Sequence, residues 1–166
     1  MKMTLEIVIA LLIALFILWF IRRFLLRRMT NRLRDDAKRQ TDRAMAWALE
    51  QTEGQGLISN RQRKSVNSKG VADVWGRGVM AFEYTLKPIS PDQKLASHIK
   101  EALNSSLQIY SKENKVHAME GTDAFSVTDM WLYKNELHVD VAYLMNESTV
   151  EYLRDLKKLD EEKELP

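Results

Sequence analysis

Fifteen consecutive positions without a polar side chain, Ile7 to Ile21 (IVIALLIALFILWFI), constrain this chain more than any other feature of it. Twelve of them are Ile, Val, Leu or Phe. At about −0.3 to −0.6 kcal/mol per such residue on an insertion scale, the run favours a bilayer by roughly 5 kcal/mol. Its fifteen residues span only about 22 Å as a helix, against a hydrocarbon core of about 30 Å. Leu5 and Phe24-Leu25-Leu26 extend it if Glu6, Arg22 and Arg23 snorkel towards headgroups. The reading is a single-pass transmembrane helix over 5–26, with Trp19, Phe20, Arg22, Arg23, Arg27 and Arg28 at the membrane interface. A cleaved secretory signal has an apolar stretch of this length, but small residues should follow it, and here arginines do. A buried core helix would need covering on all sides by a chain of only 166 residues.

Charge then sets the expected orientation. Residues 22–43 carry nine basic side chains and three acidic ones, a net of +6, whereas only Lys2, Glu6 and the terminal amine precede the run. The positive-inside rule predicts an outside N-terminus and a cytoplasmic C-terminal domain in a cell or inner membrane. Anionic lipids of the inner leaflet would be partners of the basic stretch.

Residues 27–53 lack Pro and Gly and read as a basic juxtamembrane stalk helix. Met29, Leu33, Ala37, Thr41, Ala44 and Ala48 form a narrow stripe along it, suited to a solvated stalk or to a self-association seam of a homo-oligomer. Gly54-Gln55-Gly56 ends the helix, and the Ser-, Asn- and Arg-rich residues up to Gly70 read as a polar linker over 54–70. Arg61, Arg63, Lys64 and Lys69 lie in that linker without interleaved aromatics, which argues against nucleic-acid binding.

Beyond it, residues 70–166 hold 11 basic and 17 acidic side chains, a net of −6. Val79 to Leu86 alternates as a half-buried strand, with Met80, Phe82, Tyr84 and Leu86 on one face. Val71 to Trp75 is a candidate partner strand, joined to it through the Gly76-Arg77-Gly78 turn. Ser90-Pro91-Asp92-Gln93 opens a helix whose Leu95, Ile99, Ala102, Leu103, Ser106 and Tyr110 share a face. Phe125 to Leu132 and Leu137 to Leu144 are two more strands around a tight Lys134-Asn135 turn. Asn146 or Ser148 caps a last helix carrying Val150, Leu153 and Leu156, and a polar tail follows over 161–166. The predicted fold is therefore α+β: the membrane helix and stalk, then a small antiparallel sheet with two helices on one face, ordered β-β-α-β-β-α over 71–160.

With a two-residue turn, Leu132 faces Leu137, Trp131 faces His138, Met130 faces Val139 and Asp129 faces Asp140. Two like charges paired on a sheet need a cation, a shared proton or a base beside them. Glu83, Asp129, His138 and Asp140 are thus the candidate site, as an acidic cluster for a divalent cation or for acid–base work. A different register, or a wet face screened by Lys and Arg, would dissolve it. The absence of cysteine excludes thiolate chemistry. His98, His117 and His138 lack metal-ligand spacing, and Gly76-Arg77-Gly78 fits no phosphate loop. Nothing in the sequence calls for a cofactor. The expected function is non-enzymatic: a membrane-anchored protein whose acidic α+β domain binds a protein partner, within a larger transport or secretion assembly. The alternatives are a small membrane-bound enzyme or divalent-cation-binding domain on the acidic face, and nucleic-acid capture by the basic stretches.

Overall fold

The computed structural model describes residues 2–71, 78–87, 93–119 and 121–164, with side chains described outside 2–10, 25–31, 93 and 160–164. The chain divides into two compact units, Met1–Asp36 and Ala37–Pro166. A helix rich in strong helix formers, α1 (Lys2–Gly54), supplies the first unit and continues as the opening element of the second. Gly56 follows it at φ +74, a conformation that glycine adopts without steric cost.

In the first unit, Leu11 to Phe24 is exposed on every side of the helix, and Arg23 lies over the Trp19 ring at 5.3 Å. The expected membrane span is corrected here. Among the described residues, no helix is long and apolar enough to cross a membrane. The reason is length: the uninterrupted run is fifteen residues, about 22 Å as a helix, and Glu6 and Arg22-Arg23 bound it. With the span go the single-pass, signal-anchor and cytoplasmic-domain expectations, and the interfacial roles of Trp19, Phe20, Arg22 and Arg23. The Arg27 and Arg28 side chains lie outside the described residues.

The second unit is an α+β fold around a four-stranded antiparallel sheet of order β1-β2-β4-β3. Its strands are β1 (Asn67–Gly70), β2 (Ala81–Leu86), β3 (Phe125–Tyr133) and β4 (Glu136–Tyr143). Its further helices are α2 (Asn60–Lys64), α3 (Gln93–Glu113) and α4 (Glu147–Glu164). Strand alternation sends Met80, Phe82, Tyr84 and Leu86 of the β2 segment to one face, with Leu137, Val139 and Val141 of β4. That face packs on α1 through Ala37, Ala44, Met45, Ala48 and Leu49, and on α3 through Ile99, Leu103 and Leu107. The alanine stripe expected on a solvated stalk is therefore core. The polar groups within it are satisfied: Thr41 and Thr52 donate to carbonyls one turn back, and Tyr84 donates to Asp42 Oδ1 at 2.8 Å.

The two-helices-on-one-face arrangement also needs correction. Tyr152 and Leu156 of α4 pack on Val79 and Ala81, whose side chains alternate with Met80 and Phe82, so α4 covers the opposite face. Asn146 is its N-cap, accepting from the Thr149 N–H at 2.9 Å. The helix runs on to Glu164, through part of the expected polar tail.

The segment expected as a linker is folded. Ser59 caps α2 in a reciprocal capping box with Gln62, Arg63 pairs with Glu53, and β1 pairs with β2. The candidate strand and turn at 71–78 and the helix cap at 90–93 fall largely outside the described residues. The β3–β4 turn is as read: Lys134 and Asn135 both have positive φ, 49° and 62°, as a twist-matched two-residue hairpin requires.

Candidate functional site

The face opposite the main core is met by α4, whose Tyr152 packs on Val79 and Ala81 and reaches Thr128 beside the Asp140–Asp129 pair. The same face carries a row of charges running straight across the sheet. Lys69 of β1 pairs in register with Glu83 of β2, Glu83 with Asp140 of β4, and Asp140 with Asp129 of β3. One row further on, Thr85 is opposite His138, and His138 opposite Trp131. Tyr133 and Glu136 close the face beside the hairpin turn. All four residues singled out from the sequence therefore share this surface. The two-residue turn sets this register, and a β-bulge follows it: Asp129 pairs with Asp140 but Val127 with Val141, leaving Thr128 as the extra residue.

The carboxylates do not share one environment. Glu83 is buried and accepts twice, from Lys69 Nζ at 3.0 Å and from His138 Nδ1 at 2.8 Å. Burial alone would raise the Glu83 carboxyl, but the hydrogen bonds from His138 and Lys69 outweigh it and hold it below the usual value. Asp129 is exposed at the sheet edge and accepts from the Met130 N–H at 2.7 Å. Asp140, between them, is only 7% exposed, and its Oδ1 finds no hydrogen-bond partner among the described residues. Burial first, then Glu83 and Asp129, push its carboxyl up to about 6.

His138 shows a matching vacancy. Because Glu83 is an ionised acceptor, His138 Nδ1 is the donor in their hydrogen bond. The ring's Nε2 is buried without a hydrogen-bond partner among the described residues; Glu136 Oε2 stands 3.9 Å away. Each such unfilled polar atom costs about 1–3 kcal/mol. Trp131 stacks on the same ring with centroids 4.9 Å apart and planes 7° from parallel, while remaining 37% exposed.

The divalent-cation reading of the four residues lacks the geometry: among the described residues, no group of three or more His, Asp or Glu side chains is placed to hold a metal ion. His98 and His117 lie apart from the site, exposed on α3 and in the loop after it. Lys69 escaped the sequence reading because its segment looked like a tether, and its only signal was a basic residue in a polar run. Trp131 was legible, since the hairpin register already placed it opposite His138. A cleft of about 310 Å³ along α4 is lined by Val79, Leu156 and Leu159 together with Ser148, Tyr152 and the exposed carboxylates Glu151 and Asp155.

Comparison with protein-family models, curated proteins and solved structures finds no match to this chain.

Proposed function

We propose that the second unit is a recognition module that binds a basic segment of a protein partner along the exposed edge of its second sheet face, at Asp129, Trp131 and Tyr133. The observation that carries this reading is the cross-sheet row in which three carboxylates, Glu83, Asp140 and Asp129, are answered by one cation, Lys69. Like charges side by side on a sheet are destabilising, and a basic partner turns that liability into attraction. Trp131 and Tyr133, 37% and 56% exposed beside the row, supply the amphipathic aromatic surface on which such segments anchor. The second unit as a whole carries 18 basic and 20 acidic side chains, so attraction towards a positive partner is local to the row.

The test is the affinity of the full chain for basic peptides as a function of salt and sequence. A peptide with several Lys and Arg residues should bind, weaken with rising ionic strength, and lose about five- to tenfold in affinity on Asp129→Lys. Binding that ignores both salt and Asp129→Lys would refute the reading.

A further inference from the structure

We infer that the partner segment binds as an added strand on the open edge of β3, extended from Asp129 to Tyr133 with its basic side chains at alternate positions. This rests on the recognition reading above and adds the backbone geometry of the bound segment. β3 is a terminal strand of the order β1-β2-β4-β3, nine residues long against four in β1 at the other end. Among the described residues, no strand pairs on its far side. Such an edge offers backbone donors and acceptors to an extended chain.

The hairpin decides which groups those are. Tyr133 and Glu136 close a two-residue turn and exchange both ladder bonds, so Tyr133, Trp131 and Asp129 turn their backbone groups towards β4. Met130 and Leu132, between them, turn theirs outward. The Met130 N–H accordingly donates to the Asp129 carboxylate at 2.7 Å and not to β4. Before the Thr128 bulge the edge closes, because Asn104 of α3 accepts from the Val127 N–H at 2.9 Å. The open stretch is Asp129 to Tyr133, about 17 Å of strand.

Charge selects the occupant. In the free chain the Asp129 carboxylate caps the edge, which turns away an ordinary strand. A Lys or Arg directly across from Asp129 draws the carboxylate to itself and leaves the Met130 N–H to a carbonyl of the segment. A second copy of β3 brings no such cation, since Phe125–Tyr133 contains no basic residue. Further along the same face, Trp131 stacks one side of its ring on His138 of β4 and turns the other towards the edge, where the stem of a second basic side chain packs.

The probe is acetyl-Lys-Val-Lys-Val-Lys-Val amide, with two isomers N-methylated either at every lysine or at every valine, each titrated into the full chain by NMR. The three share every side chain and charge, and each methylation removes the amide donors along one edge of the extended peptide. An added strand uses one edge only, so one isomer should lose at least about tenfold in affinity while the other stays within about twofold of the parent. Hydrogen exchange at the Leu132 amide should slow by about tenfold or more when the parent saturates the chain. Equal binding by the two isomers, or an unprotected Leu132 amide in the complex, overturns the added strand while charge-driven recognition stands. A Leu132 amide protected in the free chain and released on dilution shows a second copy on the edge, and overturns it too. Failure of every basic peptide removes both readings.

Discussion

At the scale of single residues, Asp140 is held in the ionised form at a cost. Its folded pKa of about 6 lies above the ordinary 3.8, so the folded chain holds the proton more tightly than the unfolded chain does. Stability therefore rises as pH falls from about 6 towards 4, and at pH 8 the full penalty is present. Asp140→Asn, which keeps the shape and removes the charge, should raise stability at pH 8 by about 1–3 kcal/mol, and thermal melts should show the gain fading by about pH 4. Glu83 behaves oppositely. Its carboxyl is lowered, so its contribution is present above the ordinary 4.5 and is lost as pH falls through the folded value. Glu83→Gln should accordingly lower the melting temperature at pH 8, by about 1–3 kcal/mol in stability, because it strips His138 and Lys69 of their shared acceptor.

At the scale of elements, the hairpin and α1 make the sharpest contrast. The hairpin turn was legible, since Lys134-Asn135 lies between two alternating strands, but its register was left open and the Thr128 bulge was not visible. Asn135→Val, placing a β-branched residue at φ 62°, should cost about 1–2 kcal/mol in denaturant unfolding, whereas Asn135→Gly should leave stability nearly unchanged. The stripe Ala37, Thr41, Ala44 and Ala48 was equally visible, but not its burial. Alanine contributes little transfer energy, so its spacing does not distinguish a wet rod from a helix pressed close against a sheet. Ala44, fully buried, should tolerate no enlargement: Ala44→Leu is expected to destabilise by about 1–3 kcal/mol in the same assay. β1 was invisible for a different reason. Asn67 to Gly70 has no apolar side chain, and backbone pairing, the Lys69–Glu83 ion pair and a Lys38 to Ser68 hydrogen bond of 2.6 Å hold it in place.

At the scale of the whole molecule, the compact unit starts at Ala37 and not at the end of a linker near residue 70. A fragment of residues 37–166 should unfold cooperatively in a thermal scan, while one of residues 71–166 should not, since it lacks Met45, Leu49 and the other α1 residues of the core. The exposed apolar helix of the first unit is the part whose removal should lower self-association, measurable by light scattering. The apolar run misled because its composition suits a bilayer while its length falls short, and composition is the louder signal.

One surplus residue in β3 governs what the rest of the molecule can display. Up to Val127 the odd positions point inward, and after Thr128 the even ones do, Met130 and Leu132 among them. Thr128 thus acts as a frameshift written in backbone. Deleting it would join Val127 to Asp129 in a regular ladder, with Phe125, Val127 and Met130 still inward and Asp129 and Trp131 still on the outer face. In a lineage of such chains, point changes along this strand would tune the face gradually and loss of the Thr128 codon would spare it, whereas one codon gained between Asp129 and the turn, without a second bulge, would turn Asp129 inward.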